Sequence, residues 1–331
     1  MDAPIGYMAS FKHYAASHDE VDFDDYWGAD SDAELHHFIG KDIVNFHALF
    51  WPAVLDASGF RTPTRIHTHG FVTVDGKKMS KSRGTFVNAS TYLAHLKPEY
   101  LRYYYAAKLN GTVDDIDINL DDFVARVNSD LVGKVVNSAS RCAGFITKHF
   151  DGRLAGSLHD PALFERFTAA AAGIAERYEK GDTARAVREI TALADQANQY
   201  IAEHAPWAMI KEDGRRDEVQ AVCSQGINLF RVLMVYLKPI LPQLAADSEA
   251  FLQIEPLTWR DLEAPLLDHG IAPFKALFAR MEKDAVDNMM EASREDAAPK
   301  PESASQADAP QQTDYSEITI DDFARIELRV A

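Results

Sequence analysis

GKKMSKSRGTF (76–86) gathers Lys77, Lys78, Lys81 and Arg83 into one short stretch of a chain whose formal net charge is −17. A lysine-rich turn is, on composition alone, a solvated surface feature. The order of residues says more. IHTHGFVTV (66–74), just before it, has the β-branched and aromatic content of a strand. NASTYLAHL (88–96), just after it, reads as a helix with Asn88 or Ser90 as N-cap. A strand thus delivers a loop whose lysines, hydroxyls and backbone N–H groups can all face one anion. A polyphosphate, whose charge redistributes during phosphoryl or nucleotidyl transfer, needs such a set of groups. The GxxxxGK[ST] spacing of a P-loop is absent.

Outward from this loop, residues 1–75 read as mixed α/β. KDIVNFHALFWPAVLDASG (41–59) has apolar positions at helical spacing, with Pro52 expected to kink it and Gly59 to end it. On that helix Phe46, His47, Phe50 and Trp51 fall at i, i+1, i+4 and i+5, which predicts one shared face. Pro98 opens a further helix, PEYLRYYYAAKL (98–109). From residue 119 the pattern is helical, with helices predicted over 120–148, 161–180, 183–204 and 217–238. The third carries an apolar stripe of Val187, Ile190, Ala194, Ala197 and Ile201. Long amphipathic helices with short connections predict a bundle. Residues 291–317 are rich in Ala, Pro, Ser, Glu and Gln and predict a disordered linker. ITIDDFARIELRVA (318–331) regains apolar alternation.

The 331 residues are 47% apolar and 26% charged, an ordinary globular composition that suits two or three domains. The acidic balance argues against a generally basic nucleic-acid surface, yet phosphate contacts are made by particular Lys and Arg side chains. Cys142 and Cys223 can build neither a disulfide framework nor a four-cysteine zinc site, so two buried reduced thiols in the cytoplasm are expected. No apolar run is long enough to span a membrane, and MDAPIGYMAS has no secretory-signal pattern.

Lys78-Met79-Ser80-Lys81-Ser82 matches, residue for residue, the KMSKS motif of class I aminoacyl-tRNA synthetases. DAPIGY (2–7), FIGKDIVNFHALFWPA (38–53), HGFVTVDGKKMSKSRGTF (69–86), LRYYYAAKLN (101–110), VNSASRCAGFI (136–146) and EHAPWAMIK (203–211) together resemble bacterial-type methionyl-tRNA synthetases, over essentially the whole chain. The resemblance implies the C-terminal part of a Rossmann-type catalytic domain (1–74), then the KMSKS loop and a connecting, stem-contact region (75–118). It implies an anticodon-binding α-helical bundle (119–290), the linker (291–317), and the truncated start of an OB-type tRNA-binding domain (318–331). It implies methionine–tRNA ligase activity: methionine and ATP, entering with magnesium, give methionyl-adenylate and pyrophosphate, and the methionyl group passes to tRNA-Met.

Residue roles follow from the same resemblance. Lys81 and Lys78 are the expected catalytic cations, binding ATP together with Met79, Ser80 and Ser82. Tyr7, Phe46, His47, Phe50 and Trp51 are expected around methionine, whose polarisable thioether packs well against rings. Without the resemblance these aromatics read as a core stripe. Asn137 and Arg141, at i and i+4, and Trp207 are expected at the anticodon, with Trp207 stacking on a base and the other two bonding base edges. Their plainer alternative is bracing within the bundle. Another class I synthetase, such as the leucine or cysteine enzyme, shares the KMSKS loop but not the aromatic helix at 46–51 or the APW at 205–207.

Other family hallmarks are expected and not found in the sequence. HHFIGK (36–41) and HTHG (67–70) lack the spacing of the class I histidine motif. The tryptophan that usually precedes DAPIGY and the zinc-knuckle insertion are absent too, and His36, His37, His67 and His69 have no paired cysteines, so no metal is expected. These features predict an internal piece of a synthetase with an unpaired strand edge and an uncovered apolar face, inactive by itself. A first strand cannot close an OB barrel, so a homodimer through that domain is not expected. The alternative function is a non-catalytic anticodon-binding module that needs a separate N-terminal chain.

Overall fold

The computed structural model describes residues 4–79 and 88–297. Ser80, Lys81, Ser82, the side chain of Lys78, the linker from residue 298 and the OB-type start all lie outside the described residues. The chain opens with α1 (Ile5–Ala15) and α2 (Phe23–Trp27), the second capped by Asp22, which accepts from the Asp24 N–H. Strand β1 (His36–Gly40) leads into a continuous helical passage: a 3-10 turn (Lys41–Ile43), a π-helical turn (Phe46–Phe50) and α3 (Trp51–Ala57). The helix expected at 41–59 is present, and Gly59 follows it at φ +74°. In place of a simple kink, Pro52, which has no N–H to return to the preceding turn, follows a widened one.

The single strand expected at 66–74 is instead two strands in two sheets. β2 (Arg65–His69) pairs with β1 in parallel, with His37 opposite Ile66. β3 (Val72–Val74) pairs antiparallel with β4 (Lys77–Lys78). The chain crosses between the sheets at Gly70, where any Cβ would lie 2.1 Å from the Asp114 carbonyl oxygen. Asp75 and Gly76, at φ 47° and 70°, form the two-residue turn of the β3–β4 hairpin, a conformation that requires positive φ at both positions.

Next come α4 (Ala89–His95) and α5 (Pro98–Lys108), the latter opened by Pro98 as expected. Asn88 is the α4 N-cap, as expected, although its side chain makes no capping bond; its backbone carbonyl accepts from the Tyr92 N–H. β5 (Ile116–Ile118) then adds to β3 in parallel.

The bundle begins with α6 (Leu120–Arg126), a π-helical stretch (Val127–Val136) and α7 (Asn137–His149), one unbroken passage. The helix expected at 161–180 divides at Ala170 into α8 (Pro161–Ala169) and α9 (Ala171–Glu179). α10 (Thr183–His204) buries its whole predicted stripe. Short α11 (Pro206–Met209) precedes α12 (Arg216–Leu237), which is central rather than amphipathic: every residue from Val222 to Leu237 is buried. Its polar groups are met from several segments: Ser224 Oγ accepts from the Ala155 N–H, Gln225 Oε1 from the Asp160 N–H, Asn228 exchanges hydrogen bonds with the Leu266 backbone, and Arg231 donates to the Ala264 carbonyl. Gly226 lets α7 approach α12, since a Cβ there would meet Cys142 Sγ at 2.5 Å. Both cysteines are free and buried, and the hydrogen bond to Cys223, with burial, holds the Cys142 thiol protonated.

α13 (Pro242–Leu252) and α14 (Lys283–Ala297) complete the described chain. α14 corrects the linker expectation over 291–297. Val286, Met289 and Ser293 are buried, α14 packs against α4, and the helix carries on past residue 291 because its apolar anchor begins upstream of the polar composition. One large core joins the bundle to α4, α5 and β3. A second, small one has, among the described residues, Trp27, Trp51 and Leu55 as its buried members.

Candidate functional site

Three groups of predicted residues take shape from these elements. The first lies over the small core. Trp51 and His47 point inward and are buried, whereas Phe46 and Phe50 stand exposed, their ring centroids 6.0 Å apart. The one face expected for all four is therefore two faces, because neighbours in a helical turn diverge while i and i+4 coincide. His47 Nδ1 lies 3.0 Å from the Ile43 carbonyl and donates to it, which leaves Nε2 to accept from the Tyr7 hydroxyl at 3.0 Å. Trp51 Nε1–H donates to His37 Nε2 at 3.3 Å. His37 was not among the expected pocket residues, yet its ring lies 5.0 Å from Tyr7 and 5.5 Å from His47. The signal for it was strand parity: in β1, His37 and Ile39 face inward and Phe38 outward. Burial, and secondarily the neighbouring His47, hold the His37 pKa below the usual histidine value, so His37 is uncharged at neutral pH.

The outward histidines do something else. His36 Nδ1 and His67 Nε2 share a hydrogen bond of 3.1 Å, Phe38 stacks on His67 at 4.3 Å, and His69 bonds the Gly70 carbonyl. Among the described residues no group of three or more His, Cys, Asp or Glu is placed to hold a metal ion.

The second group is the root of the KMSKS stretch. Asp117 Oδ1 accepts from Thr73 Oγ1 and from the Gly76 N–H, both at 2.7 Å. Asp75 Oδ1 accepts from Asn119 Nδ2 and the Leu120 N–H. The hairpin is thereby tied to β5 and the start of α6. Met79 leaves it packed against the large core, in the wall of an apolar cavity of ≈ 450 Å³ lined also by Val74, Tyr92, Leu101, Tyr105 and Met289.

The third group lies on the bundle. Ala205, in the left-handed region at φ 42°, turns the chain from α10 into α11 and presents Trp207 outward, 41% exposed. The Arg141 guanidinium sits 4.7 Å from the centre of the Trp207 ring. Asn137, one turn before Arg141 on α7, donates from Nδ2 to Asn198 Oδ1 at 2.9 Å, and Arg141 donates to the Asn198 carbonyl at 3.4 Å. The three expected residues are thus brought to one surface. Asn137 and Arg141 brace α7 against α10, while Trp207 is not packed between helices.

Residues 1–143 match the family of tRNA synthetases class I (M), and residues 153–294 match the anticodon binding domain of methionyl tRNA ligase. Among solved structures, the chain is similar to Mycobacterium tuberculosis methionyl-tRNA synthetase in complex with methionyl-adenylate, at 26% identity and a TM-score of 0.71, over 82% of this chain and 55% of that one. A second structure of the M. tuberculosis enzyme, bound by methionyl-adenylate, gives 25% identity and a TM-score of 0.68 over 75% of this chain and 50% of that one. The free-state form matches at 24% identity with a TM-score of 0.68, over 76% and 50%. The chain spans about half the length of these solved relatives. Two family matches that run from residue 1 to residue 294, with only 144–152 between them, show that the chain belongs to the class I methionyl-tRNA synthetase family.

Proposed function

We propose that this polypeptide serves a methionine–tRNA ligase, which activates methionine with ATP to methionyl-adenylate and transfers the methionyl group to tRNA-Met in the cytoplasm. The observation that carries this is the exposed Trp207 backed by Arg141. A tryptophan open on one side and held by a guanidinium is a stacking platform for an unpaired base, and RNA loops are read by such stacking together with base-edge hydrogen bonds. Asn137 stands beside it to supply an amide.

At the other end, the exposed rings of Phe46 and Phe50, and the Tyr7 hydroxyl held by His47, are the groups that would meet a polarisable thioether. His37, neutral and hydrogen-bonded to Trp51, adds no charge beneath them. Lys81 and Lys78, with Met79, Ser80 and Ser82, are the groups proposed to face the ATP phosphates, where the cations stabilise the charge that grows as pyrophosphate leaves. Asp75 and Asp117 fix the origin of their loop.

A second reading, an anticodon-binding module without catalysis of its own, is favoured by one observation. Large apolar side chains stand open on β1 and the π-helical turn: Phe38 is 73% exposed, and Phe46, Leu49 and Phe50 are exposed too. Such side chains build one wall of a pocket, and a second polypeptide covering them is the partner expected for the catalytic step. Two assays on the purified chain separate the readings. A gel shift with tRNA-Met and no methionine-dependent pyrophosphate exchange supports the module. Exchange by the chain alone refutes it in favour of a complete ligase site. No shift at all overturns the anticodon assignment.

A further inference from the structure

Asn198, half-buried on α10, touches both residues proposed to read the anticodon. Its Nδ2 donates twice, to the Lys134 carbonyl at 2.8 Å and to the Ala194 carbonyl at 2.8 Å. Its Oδ1 accepts from Asn137 Nδ2 at 2.9 Å. Backbone carbonyls only accept, so rotating the Asn198 amide by half a turn would set its oxygen against two other oxygens. The Asn198 orientation is therefore fixed, with Oδ1 toward Asn137. Asn137 must in turn offer an N–H at that contact, which directs its own Oδ1 away from Asn198.

The Lys134 carbonyl lies just before Asn137 in the same helical passage. It belongs to the π-helical stretch Val127–Val136, and α7 begins at Asn137. Side-chain donors reach the carbonyls of this widened passage. Ser138 Oγ donates to the Val135 carbonyl in the same stretch. The widened turn thus gives α10 a hold on the helix directly beside Asn137.

We infer that Asn198 is a positioning residue that sets the donor–acceptor polarity of Asn137, so that Asn137 meets a base edge with its carbonyl oxygen and one remaining N–H. This rests on the anticodon reading proposed above. It makes Asn198 a determinant of which base is accepted, acting through Asn137 without touching the RNA.

The test is a double-mutant cycle on the full chain with Asn137→Ala, Asn198→Ala and the pair. Fluorescence anisotropy measures affinity for an RNA hairpin carrying the anticodon CAU and for three hairpins each changed at one anticodon position. Both single variants are expected to lose about fivefold to tenfold in affinity for CAU, the size of one hydrogen bond. Both are expected to lose discrimination at the same anticodon position, and the pair to bind no more weakly than Asn137→Ala alone. A residue that merely stabilised the bundle would lower the melting temperature and leave discrimination unchanged. If Asn198→Ala keeps wild-type discrimination while Asn137→Ala loses it, or if the two losses add, the inference is overturned. If Asn137→Ala and Trp207→Ala both bind CAU as the wild type does, the anticodon reading itself fails. Should Asn198→Ala lack the native helical circular-dichroism signal, Asn198→Ser, which keeps one donor, takes its place in the cycle with the same outcomes.

Discussion

Trp51 and Trp207 mark the two ends of the proposed activity, and they are placed in opposite ways. Trp51 is buried in a core whose other buried members, among the described residues, are Trp27 and Leu55, while the rings meant for ligand, Phe46 and Phe50, lie open above it. Trp207 is open, and beneath it lies the core that runs through α7, α10 and α12. The bundle buries its own apolar surface and displays few aromatics, Trp207 and Trp259 among the described residues. The α/β segment displays an apolar face without the core to support it. A site made of few exposed rings on a deep core reads as a binding surface in its own right, whereas many exposed rings on a shallow core read as one side of a larger contact.

Three experiments would break or sharpen that contrast. Phe230→Ala, which empties a fully buried ring position at the centre of α12, is expected to cost about 3–5 kcal/mol in the main unfolding transition followed by far-ultraviolet circular dichroism. Trp51→Ala should leave the midpoint of that transition in place and show itself only as faster amide exchange over residues 36–69. An equal shift from both variants would mean that the two regions unfold as one unit.

A smaller effect is expected from Trp207→Ala. Loss of a base-stacking aromatic is worth about 1–3 kcal/mol, so affinity for tRNA-Met should fall roughly tenfold to a hundredfold, with the unfolding midpoint unchanged because the ring is largely outside the core. Undiminished affinity would remove the bundle's half of the comparison.

The smallest effect concerns pH. The His37 pKa is lowered in the folded chain by burial and by His47, so the unfolded state binds more protons as the solution is acidified. Its contribution to stability is complete above the unfolded histidine pKa and is lost as pH falls through the folded value. His159, lowered by burial and by His204, follows the same sign but lies in the bundle beside Tyr200, to which it is hydrogen-bonded. Going from pH 7.5 to 5.5, protection of amides in β1 and β2, corrected for intrinsic exchange, should fall before that of α10. His37→Asn should reduce the early loss, leaving the part due to His67, whose pKa is likewise lowered by burial, Arg65 and His36. Simultaneous loss in both regions would show that the small core is not the weaker one.

The regular parts of this fold were legible because they depend on local periodicity. The α10 stripe, the opening of α5 at Pro98 and the helix across 41–59 were all visible in the spacing of apolar and breaking residues. The strand at 66–74 was not resolved into two, because its division depends on the close approach of Gly70 to Asp114, a residue far along the chain. α14 ran past the expected start of the linker because Val286 and Met289, upstream of the polar stretch, are buried against distant elements. Phe46 and Phe50 parted from His47 and Trp51 because adjacent positions of one turn diverge, which spacing alone would have shown.

The sequence by itself determined the family, through the KMSKS stretch and the methionyl-type segments around it, and it determined which residue types were available for phosphate, thioether and base. These are properties of short strings and of side-chain chemistry. Only the tertiary structure decided that His37 joins Tyr7, His47 and Trp51, that Arg141 lies over Trp207, and that Asn198 holds Asn137. Each of those joins residues from separate elements, and their hydrogen bonds and ring contacts exist only once helix packing and strand parity have brought the side chains within reach.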